Sequence, residues 1–243
     1  MGKNISYFEA RNITPEYYKN YKIPFYLQKR LPSNKEARIL DFGCGFGQIL
    51  KELRRLGYKN IFGADVDKEA IRFCKSQGFS VIDISDLNKF VHNYKSYFDM
   101  IIMSHVVEHI PKDEIISTLR KLKQVLKDEG IIFIMVPNAQ SNTGAYWAYE
   151  DFTHTTLFTS GSIYFVLKKA GFEDIKFADI DCTEGLSKLK KLIRILLMKY
   201  YKFKIDFWNK VTASYFHEPS PKIFSYEIKV MAKKPKSIYD EKD

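Results

Sequence analysis

Apolar runs begin at Ile39, Ile61, Val81, Met100, Ile131 and Ile175, and the segments between the first five carry apolar residues at helical spacing. This alternation predicts strands joined by crossover helices. Runs such as MIIM and IIFIMV lack the polar alternation of a half-exposed strand, so their sheet must be covered on both faces. The predicted fold class is α/β, a doubly wound, mostly parallel sheet. Gly57, Gly78, Gly130 and Gly171 each stand between a helical pattern and an apolar run, the place for a left-handed helix terminator. The clearest helix is PKDEIISTLRKLKQVLKDEG: Pro111 and two acids open it, Ile115, Leu119, Leu122 and Leu126 lie on its apolar face, and Gly130 ends it. A final run, KIFSYEIKVMAKKP, reads as a closing edge strand, because Lys and Pro blunt an edge.

The same pattern divides the chain into an aromatic-rich N-terminal helical flap, residues 1–36, and a main domain, residues 37–243, with 184–216 as a basic helical insertion before the last strand. The net charge of +10 is local, since Glu184 to Lys210 holds eight Lys or Arg against two acids. Leu186, Leu189, Ile193, Leu196 and Tyr200 share one face of that insertion, with Lys188, Lys191, Arg194, Lys199 and Lys202 on the others. Three readings follow: packing with a solvated basic face, peripheral contact with an anionic membrane, and capture of an anionic substrate. Cys44, Cys74 and Cys182 have neither disulfide nor zinc spacing, and no leader or 18-residue apolar span is visible, so a cytoplasmic location is predicted, with peripheral residence at the inner face of the cell membrane as a variant. Met1-Gly2 with Ser6 matches a loose acylation pattern, too short to carry weight.

The stretch ILDFGCGFGQILKEL sets Gly43, Gly45 and Gly47 between a strand and a helix, at the end of the sheet where ligands bind in doubly wound folds. Missing Cβ atoms would let a ligand approach backbone amides at the helix start. The dinucleotide fingerprint needs a glycine or alanine where Gln48 stands, which weighs against hydride transfer. In IFGADVDKEAI, Asp65 falls at the end of the second strand, about 20 residues on, where a carboxylate can accept ribose hydroxyls. Neighbouring Asp67 is placed to cap the next helix.

ILDFGCGFG, GADVD, FDMIIMSHVVEHI and LKDEGIIFIMVPN, in that order, resemble the motifs of class I S-adenosylmethionine-dependent methyltransferases over roughly residues 37–182. The resemblance implies a seven-stranded Rossmann-like sheet and S-adenosyl-L-methionine as cofactor. It further implies that Asp41, Gly43, Gly45 and Gly47 hold the methionine portion, Asp65 the ribose, and Val66 the adenine face. Asp83, or alternatively Asp86, would meet the adenine amino group, and Ser104 and His105 would approach the sulfonium. The block YEDFTHTTLFTSGSIYFVLKKAGF is similar to a subgroup associated with cell-envelope polysaccharides, whose D-x-x-H loop would here run from Asp151 to His154.

Methyl transfer to a hydroxyl needs a general base near neutral pKa, which directs attention to histidine. Of His92, His105, His109, His154 and His217, the choice falls on His154 first and His109 second, because both lie in loops at the ligand edge. Tyr146, Trp147, Tyr149 and Phe152 cluster beside them and would stack on an acceptor, with Asp151 as a further contact. No carboxylate cluster has metal spacing, so no metal is predicted. The acceptor is read as a small molecule, an anionic saccharide or nucleotide-linked sugar, methylated on a hydroxyl. Nucleic acid is the enzymatic rival, although SHVVEHI lacks the Asn-Pro-Pro-aromatic signature of amino-methylating enzymes. A non-catalytic binding protein at a membrane is the other rival.

Overall fold

The computed structural model describes residues 5–237, so Met1 and Gly2 lie outside the described residues. The chain opens with α1 (Tyr7–Ala10), a 3-10 turn (Pro15–Tyr18) and α2 (Phe25–Gln28). The alternation follows: β1 (Ile39–Phe42), α3 (Gln48–Arg55), β2 (Ile61–Asp65), α4 (Lys68–Ser76), β3 (Ser80–Asp83), α5 (Leu87–Asn93) and β4 (Phe98–Ser104). Then come α6 (Ile115–Val125), β5 (Leu126–Pro137), α7 (Gly144–Glu150), α8 (Ser160–Ala170), β6 (Glu173–Phe177), α9 (Lys188–Val211) and β7 (Glu227–Lys233). The sheet has seven strands in the order β3-β2-β1-β4-β5-β7-β6. The first five in that order are parallel, and β7 runs antiparallel to both β5 and β6.

Alternation along the central strands feeds two cores. Ile101 and Met103 of β4 enter one with Ile132, Ile134 and Val136 of β5, covered by Leu119 and Leu122 of α6 and Ile163 and Leu167 of α8. Met100, Ile102, Phe133 and Met135 enter the other, covered by Ile49 and Leu53 of α3 and by Ile23 and Leu27 of the N-terminal segment. Both faces of these strands are therefore dry, which is why they read as unbroken apolar runs. The N-terminal flap is part of the core on its own face, since Leu27 has no exposed surface.

Two expectations are corrected. The final run is not an edge strand: β7 lies inside the sheet with Ile228, Val230 and Ala232 buried, and the edges are β3 and β6. Its lysines misled because Lys229 is itself buried, 3.8 Å from Asp179 and over the Tyr26 ring. Gly57, Gly78 and Gly171 have positive φ as expected, but Gly130 does not terminate a helix. The helix ends at Val125 and β5 begins at once, with the left-handed residue at Glu129. Gly130 is needed for another reason, because an added Cβ would sit 2.7 Å from the Lys127 carbonyl oxygen.

Asn138, just past β5, is wholly buried. Its Nδ2 donates to the carbonyls of Ile223 and Ser225, both at 2.8 Å, and its Oδ1 accepts the Gln140 N–H at 3.0 Å. Asn138→Ala leaves these backbone groups without partners and is predicted to destabilise the fold by roughly 2–4 kcal/mol. A urea midpoint equal to wild type would contradict this role.

Candidate active site

The strand order reverses between β1 and β4, and the loops after them turn to opposite faces, opening a crevice at the carboxyl edge. The loop after β1 has positive φ at Gly43, Gly45 and Gly47. Its glycines also admit protein: an added Cβ at Gly43 would meet Val106 at 2.3 Å, at Gly47 Cys74 Sγ at 2.9 Å, and at Gly45 the Phe8 ring at 3.2 Å. The bare backbone thus lets neighbouring side chains close on the loop, and its glycine amides are bonded within the protein, that of Gly43, like that of Cys44, to the Ala64 carbonyl and that of Gly47 to the Cys44 carbonyl. Asp65 locks it in place, accepting the Gly45 N–H at 2.8 Å through one oxygen and the Val66 and Asp67 N–H groups through the other.

Asp41, at the same edge, is 1% exposed and neither carboxylate oxygen has a hydrogen-bond partner. Burial pushes its pKa up to about 8, and the Asp65 charge adds to the shift. The Gln48 Oε1 atom is likewise buried without a donor. These acceptors fit a ligand that brings N–H groups and positive charge. Val66 stands 61% exposed at the end of β2, an apolar platform in the open. Asp67 caps α4 as expected, and Asp86 caps α5. Asp83 is exposed and bonded to Ser85, and with Asp86 it lines a shallow cleft of about 350 Å³ beside β3 and α5.

On the other side of the crevice, the loop after β4 meets the loop after α7. His154 is almost buried, and its Nδ1 lies 2.7 Å from the Trp147 carbonyl, which accepts the ring N–H and leaves Nε2 as the acceptor in the neutral ring. Thr153 Oγ1 donates to Asp151 at 2.6 Å and so accepts from His109 Nδ1 at 2.8 Å, leaving His109 Nε2 open as well. The two imidazoles are 4.7 Å apart between centroids. Burial pulls the His109 pKa below its ordinary 6.5, so this ring is neutral at neutral pH. Glu108 is fully buried and neither of its oxygens is hydrogen-bonded. Donor atoms of Glu108, His109 and His154 lie within 4.8 Å of one another, an arrangement that could hold a divalent cation.

Several expected site residues have other occupations. His105 has φ 54° and its ring lies 2.9 Å from Glu227 and 3.4 Å from Glu108. Desolvation opposes its charge, but the two carboxylates outweigh that and push its pKa up to about 10, so it is a cation committed to them. Asp151 is buried and accepts the Tyr7 hydroxyl at 2.7 Å. Burial works against its charge, yet the Thr153 and Tyr7 hydrogen bonds hold its pKa down at about 2. It braces the loop rather than facing an acceptor. Tyr149 and Phe152 are 85% and 99% exposed, while Tyr146 and Trp147 pack edge to face. Ser104 ends β4, half-buried.

Tyr7, Phe8, Arg11, Glu108 and Thr153 belong to the site although the sequence did not mark them for it. α1 straps the crevice: Phe8 packs on Phe46 with ring centroids 4.6 Å apart, Tyr7 stands edge-on to His109, and Arg11 donates to the Glu150 carbonyl. Tyr7 was legible only as one of several flap aromatics, and Glu108 only as a neighbour of His109.

A family model described as a methyltransferase domain matches residues 16–176. The ubiquinone biosynthesis O-methyltransferase of Pelagibacter ubique (strain HTCC1062) is 30% identical over 107 residues, 43% of this chain and 43% of that protein. The mitochondrial enzyme of the same name from Homo sapiens is 31% identical over 134 residues, 48% of this chain and 36% of that protein. The matches span less than half the length of either relative. Among solved structures, an S-adenosylmethionine-dependent methyltransferase from Archaeoglobus fulgidus aligns with a TM-score of 0.64 at 23% identity, covering 93% of this chain and 97% of that one. A phosphoethanolamine N-methyltransferase 2 from Haemonchus contortus, in complex with S-adenosyl-L-methionine, aligns with a TM-score of 0.54 at 16% identity over 87% of this chain and 51% of that one. These structural likenesses establish the fold.

The raised pKa of Asp41 has a consequence for stability. Between its ordinary value of 3.8 and about 8 the unfolded chain releases a proton that the folded chain keeps, so stability drains as pH rises through that window. Asp41→Asn is predicted to raise the denaturation midpoint at pH 8 and to leave it unchanged near pH 3, as read by urea titration at both pH values.

Proposed function

We infer that this chain, which belongs to the methyltransferase domain family, is an S-adenosylmethionine-dependent enzyme that methylates a hydroxyl of a small-molecule acceptor. The observation that carries the hydroxyl reading is the pair of adjacent imidazoles whose Nδ1 atoms are hydrogen-bonded within the protein, which leaves the base role to Nε2. When bound, S-adenosylmethionine supplies an electrophilic methyl group on a sulfonium. We assign Asp41 and the glycine loop to its methionine end, Asp65 to its ribose and Val66 to its adenine face, with Asp83 a further candidate. Pairing with an ammonium would relieve the unpartnered Asp41 carboxylate.

The chain's own work is then to orient the acceptor, exclude water and take the hydroxyl proton. α1 and the loop after α7 close the crevice from two sides. His154 or His109 receives the proton at Nε2, while Trp147 and Thr153 fix the rings through Nδ1. Catalysis at Glu108, His109 and His154 has a second form, favoured by the buried Glu108 carboxylate, which lacks a hydrogen bond and has the His105 ring 3.4 Å away: a divalent cation held by the three would acidify the hydroxyl instead. Chelation followed by return of zinc, manganese or magnesium separates the two.

For the acceptor, the polysaccharide association gains no support from the relatives, which are named for ubiquinone biosynthesis. We carry over O-methylation, and from the exposed aromatics of α7 an acceptor with an apolar or ring-shaped body. Nucleic acid is disfavoured, because the excess positive charge sits on α9 among exposed apolar side chains. Incubation with labelled methyl donor and a panel of phenols, quinols, sugars and lipid extracts, read by mass spectrometry, should show one acceptor class gaining a methylene mass. Absence of both donor binding and turnover would overturn the function.

His154→Ala and His109→Ala are each predicted to lower kcat by about 10²–10⁴-fold with donor affinity unchanged. With His109 depressed below 6.5, a base at this position loses activity only as pH falls beneath that value, so the acid limb of the kcat profile should have its midpoint under pH 6.5 and vanish in His109→Ala. Full turnover by either variant removes that histidine from the role.

A further inference from the structure

α9 is a 24-residue helix, about 36 Å long at 1.5 Å per residue, and none of its side chains is buried. Its inner side rests on the domain through half-buried Ile195, Met198, Tyr201 and Ile205. Tyr201 donates to Asn142, Lys202 pairs with Asp181 at 2.8 Å, and Asp206 pairs with Lys222 at 3.0 Å. Its outer side carries ten large apolar residues in the open, among them Leu189, Ile193, Leu196, Tyr200, Phe203 and Phe207. These recur at alternating steps of four and three, and the others widen the stripe to roughly 160° of arc at 100° per residue. Exposed Lys190 and Arg194 border the stripe on one side and Lys188, Lys199 and Lys210 on the other. Lys204 stands within it, its Nζ 5.9 Å from the Tyr200 ring, with a stem long enough to carry the charge out.

We propose that α9 is an in-plane anchor that seats the carboxyl edge of the sheet on an anionic lipid surface. Two features select this occupant over a second copy of the chain. The stripe is wider than a two-helix seam. Its borders carry five exposed cations, and the one acid beside them, Asp206, is paired with Lys222, so two copies would bring like charges together where anionic headgroups would neutralise them. No described helix is long and apolar enough to cross a membrane, so the contact is interfacial. Asn142, to which α9 is tied, lies in the loop that leads into α7, whose Tyr146 and Tyr149 are also exposed. Resting on the methyltransferase reading, this placement makes the acceptor a lipid-borne molecule delivered from the membrane plane.

Flotation of the full chain with phosphatidylcholine vesicles, with and without phosphatidylglycerol, tests the anchor. Binding is expected to be roughly tenfold or more stronger with the acidic lipid and to weaken at high salt. It should fall by a similar factor in the pair Leu196→Ser and Phe203→Ser, and in the pair Lys190→Glu and Arg194→Glu. Donor binding by calorimetry should persist in both, which shows that they fold. No flotation of the wild type, or a concentration-dependent dimer in light scattering that the serine pair dissolves, would overturn the anchor. Flotation without methyl transfer to any extracted lipid would retain the anchor and overturn the acceptor reading.

Discussion

The reversal of strand order between β1 and β4 is the constraint on which the site depends. Crossovers to β2 and β5 leave by opposite faces, so the loops after β1 and β4 part and leave backbone ends that no regular structure covers. Asp41 and Glu108, one on each side, are both buried and both without hydrogen bonds, Glu108 having only the His105 ring 3.4 Å away. Such groups weaken a fold unless a ligand completes them, and the paired strands and two dry cores on either side are what make them tolerable. Asp65 shows the alternative outcome, since three N–H donors satisfy its carboxylate and turn it into a tie between the glycine loop and the start of α4.

Groups bound to the Nδ1 side of each ring determine what the two histidines can do. The Trp147 carbonyl and the Thr153 hydroxyl each occupy an Nδ1, which fixes the tautomer, and donor atoms of both rings lie within 4.8 Å of one another and of Glu108. Toward His109, Thr153 can act only as an acceptor because its one proton goes to Asp151, and Asp151 is itself held by Tyr7 from α1. A chain of hydrogen bonds therefore runs from the N-terminal strap to the candidate base. Loss of the strap would disorder the loop and the tautomer together.

The strands, their order of appearance, the glycine loop, Asp65 and the two histidines were legible because each is a local pattern: an apolar run, a turn that needs positive φ, a residue at a strand end. What escaped depends on contacts far apart in sequence. Tyr7 and Asp151 are 144 residues apart, and His105 and Glu227 are 122 apart, so no window of sequence places either pair together. The metal-capable trio is drawn from two loops, and neither alone has ligand spacing. Gly130 was misread because a glycine after a helical pattern has several uses, and here a close carbonyl rather than a left-handed turn requires it. β7 was misread because lysines at an edge and lysines buried beside a carboxylate look alike in one dimension.

Net charge is the feature whose meaning changes most between sequence and structure. A surplus of +10 in the whole chain invites a nucleic-acid groove. The structure sets five of the cations along the borders of one helix whose apolar stripe faces away from the protein. That helix gains little from the domain: its contacts are half-buried, and its ion pairs to Asp181 and Lys222 are of the surface kind, worth about 0–1 kcal/mol each. Packing therefore does not account for ten large apolar side chains on its far side, and solubility argues against them. Apolar width, a net positive border and weak attachment to the domain are separate features, and folding alone calls for none of them. An amphipathic surface at the water–lipid boundary calls for all three.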